Sequence, residues 1–103
     1  MKEKIKISDT AYWEILDTVV SELWNKDYFS GVIKMDFGDY YYVLECSVAL
    51  RYDICRDEEF YGATRMCSIT PIWWNFWAED IGGEKYETDF SFDELLRYFN
   101  FNL

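Results

Sequence analysis

The chain has 103 residues, half of them hydrophobic and 21% aromatic, and its 20 acids against 10 bases give a net charge of −10. That length holds a single domain, 1–103, with one core. The charge excludes nucleic acid or an anionic membrane as a direct partner, since both need clustered Lys and Arg.

The asymmetry is sharper than the total. Lys2, Lys4 and Lys6 face only Glu3 in the first six residues, so the remaining 97 carry a net −12. MKEKIKIS has no apolar run after its lysines, and no stretch approaches the ~18 apolar residues of a membrane span. Cys46, Cys55 and Cys67 are odd in number and lack CxxC spacing, which suggests neither a disulfide framework nor a zinc site. Buried free thiols fit a reducing cytoplasm.

Residues 8 to 26 predict an amphipathic helix capped by Ser8 or Asp9. Tyr12, Ile15, Leu16, Val19 and Leu23 share one stripe at helical spacing. Trp13, Val20 and Trp24 widen it to an arc of roughly 180°. Either this helix sinks deep onto a sheet, or its Trp13/Trp24 edge faces a partner.

Strands follow at 28–37 and 40–52, flanking Gly38-Asp39, a compact hairpin signal. Phe29, Ile33, Met35 and Phe37 alternate with Ser30, Lys34 and Asp36. Tyr42, Leu44, Cys46, Val48 and Leu50 form an unbroken apolar face opposite a mixed one of Tyr41, Val43, Glu45, Ser47, Ala49 and Arg51. This period of two predicts an antiparallel sheet with one face on the core. Residues 53–63 read as an acidic loop.

A third strand spans about 64 to 80 and includes Pro71, which cannot donate to a ladder. Ile72, Trp74, Phe76 and Ala78 read as its core face. Trp73, Asn75, Trp77 and Glu79 read as its outer face. Before Pro71 the phase is opposite, so a one-residue bulge is expected at Thr70-Pro71.

Ile81-Gly82-Gly83-Glu84 reads as a turn and KYETD as a short fourth strand. Ser91-Phe92-Asp93-Glu94 is a capping box, with Phe90 and Leu95 as a hydrophobic staple. Phe92, Leu95, Leu96 and Phe99 stripe the closing helix, and Asp93 and Arg97 form an i,i+4 pair. The whole is an α+β domain: N-terminal helix, meandering antiparallel sheet of three to four strands, C-terminal helix, both helices on one sheet face.

The chemistry available is narrow. Without histidine the usual neutral-pH base and the commonest transition-metal ligand are missing. No phosphate loop or nucleophile elbow occurs. Asp57, Glu58 and Glu59 are consecutive and read as a solvated run; they lack the alternating ligands of a calcium loop. The expectation is a non-enzymatic protein without cofactor or metal.

Two candidate partner surfaces remain. One is aromatic: Trp73 and Trp77, beside Tyr41 and Val43 on the outer face, with Trp13 and Trp24 on the first helix. Exposed aromatic patches mark interfaces, unless a loop folds over them. The other is acidic: Glu79, Asp80, Glu84, Glu87 and Asp89, with Asp57, Glu58 and Glu59 as a second patch. These acids either keep the domain soluble or meet a basic protein surface, as a nucleic-acid mimic would.

The tail AEDIGGEKYETDF–SFDELLRYF resembles an ending found in small acidic proteins of phages and conjugative elements. There, a strand turns at a Gly-containing acidic loop, a short strand ends in Asp-Phe, and an acid-capped helix closes the chain. The resemblance spans about residues 72 to 99 and implies a mobile-element accessory or anti-defence protein. The expected function is thus an acidic interaction module, an inhibitor or accessory factor with a basic protein partner. A homodimer built on the aromatic face and a small-ligand binder are the alternatives.

Overall fold

The computed structural model describes residues 4–54 and 64–101. Its elements run α1 (Asp9–Leu23), β1 (Tyr28–Asp36), β2 (Tyr40–Ile54), β3 (Thr64–Asp80), β4 (Lys85–Tyr86) and α2 (Phe92–Phe101). The strands form one open antiparallel sheet in the order β1-β2-β3-β4. The α+β architecture expected from the sequence is what the chain adopts. The acidic loop, with Asp57, Glu58 and Glu59, lies outside the described residues.

α1 starts where Ser8 Oγ accepts the Ala11 N–H at 3.1 Å. It stops at Leu23, earlier than the periodicity suggested, because Asn25 adopts a left-handed φ of 70° that no helix accommodates. The Tyr52 hydroxyl closes this end, accepting the Lys26 N–H and lying 3.0 and 2.8 Å from the carbonyls of Leu23 and Lys26. The Leu23 carbonyl, which also takes the Lys26 N–H at 3.1 Å, belongs to the last turn of α1, where carbonyls lack partners within the helix.

The inner face of the sheet carries Ile33, Met35, Tyr42, Leu44, Cys46, Val48 and Leu50, all buried under the two helices in one cluster. Rings fill much of it. Tyr98, Tyr12, Phe90, Phe76, Tyr42 and Phe37 succeed one another at centroid spacings of 5.1, 5.6, 4.0, 5.6 and 4.5 Å. These pairs are stacked or tilted, and such ring contacts add to simple burial.

α2 keeps half of its expected capping box. Ser91 Oγ accepts the Glu94 N–H at 3.4 Å, but the Ser91 N–H donates to the Tyr12 hydroxyl rather than to Glu94. A tertiary acceptor from α1 displaces the local one. Likewise Arg97 pairs with Glu94 at i,i+3 (3.2 Å), not with Asp93.

Two register shifts interrupt the β2–β3 ladder, between Ser47 and Val48 and between Arg51 and Tyr52. The first leaves Ile72 unpaired between Pro71 and Trp73, one residue beyond the expected break. The second leaves Cys67 unpaired, which restores the inward phase at buried Met66. Ile72 is accordingly not core: as the extra residue of a bulge it is 62% exposed. Trp74 is not core either: it touches Phe90 and Phe92 at the rim of the helical layer and remains 39% exposed.

The N-terminal segment is tied down just beyond β4 by an isolated parallel bridge from Ile5 to Thr88. Ile5 N–H donates to the Glu87 carbonyl at 2.9 Å, and Asp89 N–H to the Ile5 carbonyl at 3.1 Å. Ile5 and Ile7 pack on the core between exposed Lys4, Lys6 and Ser8.

Candidate functional site: the uncovered face of the sheet

Among the described residues no second layer covers the outer face. Its side chains form cross-strand rows fixed by the register. These are Ser30–Ser47–Trp73, Val32–Glu45–Asn75, Lys34–Val43–Trp77 and Asp36–Tyr41–Glu79, with Lys85 beside Glu79. The bulge at Ile72 keeps Trp73 and Trp77 on this face while Phe76 and Ala78 point inward.

Trp77 is held from three sides. Its indole N–H donates to Glu79 Oε1 at 2.9 Å, and Lys85 Nζ lies 4.5 Å from the ring centroid. Its ring stands beside Val43, which is only 4% exposed although it faces outward. Tyr41 is treated alike: Lys34 Nζ lies 4.8 Å from its ring and 3.8 Å from Glu79 Oε2. Ammonium groups over ring faces are attractive and hide the ring from water. Among the described residues no ammonium lies over Trp73, which is 46% exposed at the β3 end of its row; Val32, two strands away on β1, is 56% exposed.

An open cleft of about 700 Å³ lies between these rows and the β4 edge. Lys4, Glu45, Asn75, Trp77, Lys85 and Glu87 line it. Asn75 Oδ1 accepts the N–H of Phe76 at 3.0 Å, so its amide nitrogen is the group left to offer. Half-buried Glu45 makes no hydrogen bond or ion pair with any other described residue. The cleft therefore presents a carboxylate, an amide donor, an indole face and two ammonium groups.

The aromatic candidates do not form one surface. Trp73, Trp77 and Tyr41 share the outer sheet face, whereas Trp13 and Trp24 belong to the helical layer on the other side. Trp13 packs edge-on against Tyr98 at 4.9 Å, beside a hollow of about 330 Å³ shared with Glu94, Arg97 and Phe101. α2 is thus the partner that its flank of α1 was expected to need. Trp24, at the far end of that flank, sits edge-on against Tyr52 at 5.6 Å.

The acidic candidates are largely engaged in holding the chain. Asp80 Oδ1 accepts the Glu84 N–H at 2.9 Å, while its Oδ2 and the Glu84 carboxylate take the Tyr86 hydroxyl at 3.0 and 3.3 Å. Those acceptors, Asp80 foremost, push the Tyr86 phenol up to about 12. Asp89 Oδ1 accepts the Ile7 N–H at 2.7 Å and so fastens the N-terminal segment. Glu79 serves Trp77 and Lys34, and Glu87 lines the cleft.

Sequence reasoning missed Glu45, Asn75 and Lys85 as members of one site. The signal was present: Lys85 is the only base in the acidic stretch 79–94, and Glu45 interrupts an otherwise small or apolar face. Among the described residues no three Cys, Asp or Glu side chains converge as metal ligands would, and no helix is long and apolar enough to cross a membrane. No protein-family model matches the chain, nor does any curated protein or solved structure.

Proposed function

We propose that this protein is a non-enzymatic interaction module that docks through the uncovered sheet face onto a basic protein surface. The carrying observation is Trp73, 46% exposed on the outer face of β3, while Trp77 and Tyr41 lie under lysines. Tryptophan is among the residues on which binding energy concentrates. Asp36, Glu45, Glu79 and Glu87 add carboxylates to the face and its cleft, and the net charge of −10 steers cationic surfaces toward it. An inhibitor or accessory role in a mobile element, in the cytoplasm, is the setting that such an acidic module fits.

The test is capture from lysate of the source cells with wild type and Trp73→Glu at about 0.1 M and 0.5 M salt. A partner retained by wild type, lost with Trp73→Glu and released by salt supports the reading. If no captured protein depends on Trp73, the sheet face is not the docking surface.

A second reading rests on Glu45. Its unpaired carboxylate, the Trp77 ring and the ammonium groups of Lys4 and Lys85 suit a small zwitterion, with its amine on Glu45 and its acid on the lysines. Free amino acids titrated against indole fluorescence, in wild type and Glu45→Gln, decide it. A response unchanged by the substitution would remove Glu45 from consideration.

A further inference from the structure

The two edges of the sheet are built differently. On one side β4 covers β3 only at Ala78 and Glu79, so most of that edge is β3 itself, broken by Pro71 and by the unpaired Ile72 and Cys67. Short strands, prolines and bulges are how proteins blunt an edge. The other edge is β1, nine residues paired with β2 at every position from Tyr28 to Asp36. It has no proline and no bulge. Its one glycine, Gly31, is covered on the inner side by the Phe29 ring, which would lie 3.2 Å from an added Cβ.

Two hydrogen bonds set the phase of the β1–β2 ladder. At the hairpin the Phe37 N–H donates to the Tyr40 carbonyl at 2.9 Å, and at the far end the Leu50 N–H donates to the Asp27 carbonyl at 2.8 Å. Backbone bonding alternates along an antiparallel pair. Odd-numbered residues from 27 to 37 therefore bond to β2, and Tyr28, Ser30, Val32, Lys34 and Asp36 turn their N–H and C=O groups to the open edge. Among the described residues, no backbone hydrogen bond reaches those groups.

We propose that β1 pairs antiparallel with β1 of a second copy about a two-fold axis at Val32, joining two sheets into one. This register places Val32 opposite Val32, Ser30 opposite Lys34 and Tyr28 opposite Asp36. Outward-turned groups meet outward-turned groups, and no like charges stand opposed. On the inner side Phe29 stands opposite Met35 and Gly31 opposite Ile33, apolar against apolar, with sulfur near a ring. Exposed Val32 gains cover at the axis. A two-fold contact consumes β1 of both copies, and the opposite edge, broken by Pro71 and the two bulges of β3, offers no matching straight strand, so assembly closes at the dimer.

The charge gives this contact a distinctive salt dependence. Two copies at −10 each repel, while the edge itself carries only Lys34 and Asp36. Screening therefore strengthens the dimer, whereas it weakens docking on a basic partner. The two proposals consequently fail separately.

The experiment is sedimentation equilibrium of the full chain over a range of concentrations, at about 0.1 M and 1 M NaCl. The expected result is a doubling of the 12.5 kDa mass, with a dissociation constant at least several-fold lower in high salt. Val32→Pro removes an N–H that points only to the open edge, so the β1–β2 ladder stays intact. It is expected to abolish the doubling. Amide exchange on wild type stands in should that variant not fold: Ser30, Val32 and Lys34 slow as concentration rises, while Gly31 and Ile33 do not change. A monomer under every condition, a Val32→Pro protein that still dimerises, or a dimer whose Val32 amide still exchanges freely overturns the proposal. So does an edge that pairs only with an added foreign peptide.

Discussion

The central strand β2 is buried on both sides, but by different means. Inward, Leu44, Cys46 and Val48 lie under two helices. Outward, Val43 and Ser47 are each 4% exposed with no helix above them. Their cover is lateral: Trp77 and Lys34 flank Val43, Trp73 and Ser30 flank Ser47, and the two serine hydroxyls lie 2.8 Å apart. Large side chains on neighbouring strands can close over a small one between them. Low exposure on this face thus reports tiling by neighbours, and tiling leaves the tops of the rings available in a way that layering does not.

The largest effect expected from this contrast lies on the inner side. Leu44→Ala deletes a fully buried side chain within rigid packing and should cost about 2–5 kcal/mol, read from urea unfolding. Val43→Ala removes two methyl groups covered only from the sides and should cost about 1–2 kcal/mol. If Val43→Ala matches Leu44→Ala, the outer face has a true second layer and the contrast collapses.

Next in size is Trp77→Phe, which keeps a ring but removes the N–H donor to Glu79 and weakens the seat of Lys85. A loss of about 1–2 kcal/mol is expected by the same measurement. An unchanged protein would mean that these contacts do not hold the tile.

The helical side has a chemical signature that the sheet face lacks. Tyr98 donates to Asp9 across the helix pair, and that bond, with burial and the charges of Asp9 and Glu94, pushes its phenol up to about 12. A raised phenol pKa favours the folded state fully below the ordinary value near 10 and loses that contribution as pH climbs through about 12. Stability should therefore fall across pH 10 to 12, and Tyr98→Phe should flatten part of the fall. Tyr86, raised for the same reason by Asp80, contributes in the same direction. A slope unaltered in Tyr98→Phe would mean the Asp9 bond does not persist in solution.

What could be read along the chain was whatever repeats within one element. The inner face of β2, the stripe of α1 and the start of α2 each announce themselves by period or cap. What could not be read depends on meetings between distant segments. The Ser91 N–H turns to Tyr12, a residue 79 positions away, so a local capping rule picked the wrong acceptor. Lys4-Ile5-Lys6-Ile7 alternates as a strand should, but its partner Thr88 lies near the other end of the chain, outside the four strands. Trp13 and Trp24 seemed to want an external partner because helical periodicity cannot show that α2 and Tyr52 supply one. Of the two clusters proposed for binding, the outer-face trio was legible by phase, whereas the acids at 80, 84 and 89 gave no sign that they bind their own backbone and tyrosine.

The smallest effect on stability belongs to the residue that matters most to the docking reading. Trp73 flanks Ser47 as Trp77 flanks Val43, yet among the described residues no lysine covers it and its ring makes no polar bond. If it is a docking residue, Trp73→Ala should shift the unfolding midpoint little, by less than about 1 kcal/mol, as exposed substitutions usually do. The same change should remove a salt-sensitive partner. A tile would behave in the reverse way: Trp73→Ala would cost as much as Trp77→Phe and leave binding intact. The two rings sit four residues apart on one strand, so each is the control for the other, and the ratio of their stability costs separates a surface held for folding from one kept open for a partner.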